Sequence, residues 1–583
     1  MRKEEERVKK KAFGEGKVWA TFILAVWFAL GSLCLWPATV AADEVQDLKR
    51  ELQQLKNRMD SVQEKLESIE TEKEEKAEEL EEMEERLSKA EFHSATDKIA
   101  LGLELRTRAE TIHYNELLSA PPQLLNGFFM PPPMGFNGAT LGQIQQGMAN
   151  MAQAGMVPPP VEGDVDNDII YTNRFRLNMK AVYNENLSFG GRIAAYKVFG
   201  DSTEVKFNNG TLGDVTFDGN TASLPHGDTL RLERAFFNYR NRIGDVPWYI
   251  SLGRRPSTEG APLEYRNFTT TDGSPMATII NWQFDGASLN FGLEEVTGIS
   301  GANFKLCYGV GFEGDWGNST SLSVSQPDVD DVHMLGVIAT LFDDGLTNVM
   351  FNYAHAWDVT DGFTGLTVMP FIVSKADTNG DGEPEFFFNP NEGLFISRIE
   401  PSTNIGDWDA ASLLVRKNLY DSLGDIDVFL ATSWSHTDPS GISENPFYQV
   451  LGQGLLSSNG DLEDRHGFSV YAGAVFPMPL DARWGIEYNW GSKYWFNFTG
   501  AEDSLVASKL AVRGHVIESY YHQPVLGRNF FLTLGGQYYD YEYTGSGNPL
   551  GEPVKISDAT AFDALNPIID KVWLGYLSGT VRF

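Results

Sequence analysis

Residues 377–383 read DTNGDGE, the oxygen-rich opening of a calcium-binding loop. Asp377, Asn379, Asp381 and Glu383 offer hard oxygen donors at alternate positions, and Gly382 permits a sharp turn. Position twelve is Phe388 rather than a carboxylate, and Pro384 follows Glu383 directly, so this is not an EF-hand. It is either a Ca2+ site in an external loop or an acidic turn. A second chemistry is cationic. Arg106, Arg108, Arg174, Arg176, Lys180 and Arg192 recur at alternate positions, and Arg254 and Arg255 follow later. Gathered on one wall of a pore, such side chains order water and filter solutes by charge; alternatively, they pair with chain acids such as Glu104, Glu110 and Glu233 and simply fill an interior.

Enzyme-like patterns fail on context. GVGFEG (309–314) satisfies a dinucleotide-binding pattern but lies in an alternating strand with no helix after it. GDST (200–203) has no partnered histidine, and no C-x-x-C-H, H-E-x-x-H or phosphate loop occurs. The chain therefore reads as non-enzymatic.

The elements that must position these residues follow from periodicity. Residues 1–42 combine Lys9, Lys10 and Lys11 with the apolar run VWATFILAVWFALGSLCLW and the exit PATVAA, a signal peptide cleaved near Ala42. Cys34 goes with it, leaving Cys307 and no intrachain disulfide. The 583 residues carry a formal charge of −34, which argues against a nucleic-acid partner. Over 43–92 an apolar seam runs at 3-4 spacing, from Val45 and Leu48 through Leu66 and Ile69 to Leu87 and Ala90. That spacing predicts a self-associating coiled coil, interrupted only at Lys73 and Lys76.

After Phe92 the period drops to two. In KIALGLELRTRAE, Leu101, Leu103 and Leu105 share one face, and Glu104, Arg106 and Arg108 the other. NRFRLNMKAVY sets Phe175, Leu177 and Met179 against Arg174, Arg176 and Lys180, and SKLAVRGHV sets Leu510, Val512 and Val516 against Lys509, Arg513 and His515. About sixteen such runs occur between 98 and 583, most near the ~9–11 residues that cross a bilayer at a tilt. Long and short connections alternate between them, as in an all-β transmembrane barrel of antiparallel strands occupying 93–583. Its short turns and both mature termini are expected in the periplasm. The last run, LSGTVRF, places Trp573, Leu577, Val581 and Phe583 on the lipid face and closes the barrel.

The stretch LRLERAFFNY…WYISLGRRPSTEGAP (230–262), with NENLSFGGRIAAYKVFGDS before it, resembles an uncharacterised bacterial family, a domain of unknown function. Its most specific piece is GRRPST, and the likeness covers most of 43–583. The family implies an outer-membrane barrel behind a signal peptide and coiled coil. A wider resemblance is to sixteen-stranded porins, which implies a terminal phenylalanine that serves barrel assembly and a third long loop folded into the pore. Here that loop carries Glu259, Glu264 and Asp272, opposite the arginine wall.

The function expected is a passive outer-membrane channel for small hydrophilic solutes, with no cofactor beyond Ca2+ in an external loop. The competing expectation is a sealed barrel anchor whose coiled coil binds the cell wall or another envelope protein. Expected partners are outer-membrane lipid, the barrel-assembly machinery and copies of the same chain, a trimer by porin analogy.

Overall fold

The computed structural model describes residues 99–583, apart from 125–137, 200–229, 271–272, 313, 315–328, 363–364, 368–370, 382–384, 394, 396, 400, 447–448, 450–461, 500–503, 548–551 and 566. The segments expected as signal peptide (1–42) and coiled coil (43–92) lie outside these residues, as do Asp272 and Glu383.

Sixteen antiparallel strands form one closed barrel. They are β1 Ile99–Ser119, β2 Val161–Val182, β3 Leu187–Val198, β4 Arg231–Ile243, β5 Val246–Arg255, β6 Phe284–Gly292, β7 Asn303–Phe312 and β8 Val332–Asp343. Then come β9 Thr347–Thr360, β10 Asn404–Asn418, β11 Asp427–Pro439, β12 Arg465–Pro477, β13 Arg483–Gly491, β14 Gly514–Leu526, β15 Phe530–Tyr541 and β16 Lys571–Arg582. Each strand pairs with its neighbours in sequence, and β1 closes the ring against β16, with Leu105 opposite Val581. Closure satisfies every strand edge, which an open sheet of this size would leave bare.

Alternation decides the two faces. In β16, Val572, Leu574, Tyr576, Ser578 and Thr580 are buried on the lumen side, while Leu577 faces outward at 53% exposure. Phe583 extends the ladder, its N–H donating to the Leu103 carbonyl at 2.9 Å. The tight end of the barrel has turns such as 344–346. There Asp344 Oδ1 accepts from the N–H groups of Leu346 and Thr347, and Gly345 supplies a φ of +84°.

The other end carries eight long connections, of which L1 (120–160), L3 (256–283), L5 (361–403), L7 (492–513) and L8 (542–570) matter here. L1 contains helix α1, Leu141–Gln153, started by a capping box in which Thr140 and Gln143 satisfy each other's backbone N–H. Its apolar residues, Ile144 above all, pack on Phe388 of L5 and Ala561 of L8. Residues 139–140 of L1 also add a strand to the L5 hairpin of 371–376 and 385–390. L1 and L5 spring from opposite sides of a sixteen-strand ring, so this sheet bridges the mouth.

Three sequence expectations are corrected. The alternation predicts strands over 98–112, 169–183 and 409–418, but β1 continues to Ser119 and β2 begins at Val161, as a hairpin that outlasts the barrel wall. β10 starts at Asn404, five residues before the predicted 409. Most of all, 506–513 is not strand: Lys509–Ala511 is a single 3-10 turn, and Lys509 has no exposed surface. Leu510 and Val512 alternate with polar residues, yet they are buried as part of L7.

Candidate functional site

L3 folds inward from β5. Its buried Ala261, Leu263, Met276 and Ala277 pack on lumen-facing Met350, Leu414, Phe429 and Tyr471 of β9 to β12, while nearer the tight turns a polar cavity of about 480 Å³ lies between L3 and Arg416, Arg483 and Arg528. L7 lies in the lumen with it. The Asn281 N–H donates to the Phe498 carbonyl, and the Phe498 N–H returns a bond to Ile279.

The opposite side is polar. Arg176 of β2 lies 2.5 Å from Glu259 Oε1, while Arg192 of β3 and Arg234 of β4 each lie 2.9 Å from Oε2. Register explains the convergence, since Arg192 faces Asn178 on β2 and Arg234 on β4. A bulge follows at Arg192/Ile193. It keeps Glu233 on the lumen side along with Arg234, where Glu233 accepts from Tyr196 at 2.9 Å.

Backbone geometry aims the Glu259 side chain. Its φ is +62°, unusual for a residue with a Cβ, and its N–H donates to Asn281 Oδ1 at 2.9 Å. At Gly260 a Cβ would stand 1.7 Å from the Pro275 carbonyl oxygen, so L3 folds back on itself here only with glycine. Burial alone would raise the Glu259 carboxyl, but Arg176, Arg192 and Arg234 outweigh it and hold it well below the usual carboxylate range.

A second row continues around the ring. Glu104 sits between Arg582 on β16 and Arg176 on β2 in register. It accepts from Arg174 at 2.7 Å and from Arg582 at 2.8 Å. Arg108 pairs with Glu110 at 3.0 Å and lies 4.1 Å above the Tyr576 ring. Between this wall and L3 is a polar cavity of about 70 Å³, lined by Arg106, Arg108, Arg174, Arg176, Arg266 and Arg582 with Glu233 and Glu259.

Of the residues singled out from sequence, Arg106, Arg108, Arg174, Arg176 and Arg192 come together here with Glu259. Others do not. Lys180 stands on the same alternation but is exposed near the tight turn. Arg255 turns inward, donating to the Ala287 carbonyl at 2.9 Å. Arg254 points outward, because consecutive strand residues take opposite faces; it pairs with Asp285 at 2.8 Å on the outer wall. Glu264 does not face the arginines either, but bonds Arg416 of β10 across the lumen.

The turn at 377–381 is closed by its own side chains. Asp377 accepts from the Gly380 N–H, and Asn379 accepts from the Asp381 N–H. Among the described residues no group of three or more His, Cys, Asp or Glu is arranged to hold a metal ion.

Sequence reasoning missed Arg234, hidden by the bulge, and Arg582, whose position on the polar side of β16 was a usable signal. It also missed a buried cluster on L7: Lys509 donates to Glu487 and to Glu518, and Glu518 also meets Arg266 of L3 at 3.0 Å.

No curated protein matches the chain. Solved structures that resemble it include OprB of Pseudomonas putida at high pH, 10% identical with a TM-score of 0.38, covering 83% of this chain and 94% of that one. An anion-selective porin from Comamonas acidovorans is 12% identical with a TM-score of 0.38, covering 83% and 99%. Salmonella typhi OmpF in complex with daunomycin is 11% identical with a TM-score of 0.35, covering 82% and 97%. Residues 164–583 match a family model described as a protein of unknown function (DUF3373), and the chain belongs to that family.

Proposed function

We propose that this protein is an outer-membrane channel passing small hydrophilic solutes, anions preferred, between L3 and the wall of β16, β1 and β2. The observation carrying this reading is the asymmetry of the lumen. L3 packs apolar residues on the β9–β12 wall, but it faces β16–β2 across a polar cavity lined by six arginines and two glutamates, and a second polar cavity with Arg416, Arg483 and Arg528 borders L3 nearer the tight turns. An excess of fixed cations in a narrow aqueous gap favours anion entry. Passage of this kind requires no cofactor.

The outer surface supports a membrane seat. Leu101, Leu534 and Leu577 project outward with more than half their surface exposed, as lipid-facing side chains would. Toward the long-connection end the outward face carries paired rings. His113 stacks on Trp573 at 3.8 Å and His436 on His466 at 4.7 Å, while Tyr308 and Tyr488 bond His333 and His515. Rings with an apolar body and a polar tip suit a headgroup layer. In this seat the tight turns face the periplasm, and the 43–92 segment serves self-association or cell-wall contact.

One observation favours the alternative of a sealed anchor: L3 and L7 share the lumen and a sheet bridges the mouth. Conductance in a planar bilayer separates the two. Discrete ion-conducting steps are expected from the purified protein, and their absence at any voltage would overturn the channel.

A further inference from the structure

We propose that the arginine cage around Glu259 is a binding site for a small oxyanion, a carboxylate or inorganic phosphate, and that Glu259 is its tethered internal occupant. The inference builds on the channel reading but is read out by binding rather than current.

Three guanidiniums from three consecutive strands converge on one carboxylate, with both oxygens engaged: Arg176 on Oε1, Arg192 and Arg234 on Oε2. Guanidinium donors gathered around anionic oxygens are how proteins recognise carboxylate and phosphate. This carboxylate does not belong to the wall. It is delivered by a loop whose tip takes a positive φ at a non-glycine residue, its N–H donating to Asn281 Oδ1 and its carbonyl accepting from the Gly273 N–H. Strain of that kind persists where the surroundings demand a particular side-chain position.

The wall carboxylates answer the cage only in part. Glu110 serves Arg108, and Glu104 serves Arg174 and Arg582 with Arg176 3.6 Å away. Glu233 stands 3.5 Å from Arg176 and from Arg192, so the cage keeps only a partial counter-charge once Glu259 leaves. The cavity beside it is bordered by further arginines and by hydroxyls of Thr533, Ser578 and Thr580, donors for the outer oxygens of a multivalent anion. An anion arriving there exchanges with Glu259 and releases the tip of L3 from β2, β3 and β4 together. The ligand thereby widens the gap it must pass.

The test is calorimetric titration of the full-length protein in detergent with inorganic phosphate, succinate and glucose. Native protein is expected to bind at least one of the two anions weakly and glucose not at all. Glu259→Gln removes the internal competitor and is expected to tighten that anion at least tenfold. Adding Arg192→Gln and Arg234→Gln to that variant is expected to abolish the gain. Strand circular dichroism and heat-dependent gel migration identify folded samples. Because substitution at 259 could disturb folding, Glu259→Asp provides a second variant: the shorter side chain should give an intermediate gain.

Folded Glu259→Gln and Glu259→Asp with no gain for either anion, or equal binding of glucose, would overturn the proposal. A protein that conducts but shows no competition loses this inference and keeps the channel. One that binds competitively without conducting keeps the site and loses the channel.

Discussion

Lys509 Nζ lies 2.6 Å from Glu518 Oε2, and neither side chain has any exposed surface. Lys509 reaches the wall from L7, and Arg266 reaches the same carboxylate from L3. Two inward connections are thus bolted to one residue of β14. Tyr576 adds a 2.9 Å bond to Glu518, linking the bolt to the arginine chamber.

Lys509→Met should therefore be severe. It leaves Glu487 and Glu518 buried without their shared cation, a loss of about 3–5 kcal/mol by analogy with broken buried pairs. A lower temperature of heat-dependent gel migration measures it. Combining Lys509→Met with Glu487→Gln should recover much of the loss, since the double variant removes one charge of each sign and leaves Glu518 paired with Arg266.

Gly260→Ala should release the cage without touching a charge. A Cβ at 1.7 Å from a carbonyl oxygen cannot be accommodated by side-chain motion, so L3 must shift and withdraw Glu259. Single-channel conductance should rise. An unchanged trace would show that the tip position does not limit passage.

Selectivity should follow the facing of the arginines. Arg174→Gln with Arg176→Gln should move the reversal potential in a salt gradient toward cation preference, whereas Arg254→Gln, on the outer wall beside Asp285, should not. The double variant also leaves Glu104 short of its Arg174 bond and Glu259 short of Arg176, so it should melt earlier than native protein.

In L5, Asp361 is fully buried and accepts from the hydroxyls of Ser402 and Ser443 at 2.7 and 2.6 Å. Burial pushes its carboxyl up, and the serine bonds only partly offset that. A raised folded-state value means the native loop holds its proton more tightly than the unfolded chain does. Asp361 thus costs stability above the raised value, and the cost fades as pH falls through it. Hydrogen-exchange protection factors at Ser402 and Thr403, taken relative to the unfolded-chain rate at each pH, should rise on acidification through that window, and Asp361→Asn should flatten the dependence.

Much of this was legible in the sequence, for a definable reason. A strand with one face to lipid and one to a polar lumen must alternate, so strand number, facing and the rhythm of long and short connections followed from period two. The same rule misled where apolar residues alternate for another reason. Leu510 and Val512 are buried against L3 and the cluster around Val516, not against lipid, and Lys509 beside them is neutralised by wall carboxylates that no local pattern reveals. Arg234 was invisible because one bulged residue reverses the parity of its strand. Glu259 was found because it follows GRRPST in an obvious loop, but contact rather than distance across a gap could not be read from it. Glu264 stands five residues away and serves the other wall.

The sheet that residues 139–140 share with the L5 hairpin ties together flaps rooted half a circumference apart. A structure fastened on both banks answers force as a span does, not as two cantilevers. A protease cut on one side relaxes the other, so fragments from L1 and L5 should appear together rather than in sequence. Anything arriving from the long-connection side meets a load-sharing arch, and its footing lies partly on the barrel wall farthest from where it lands.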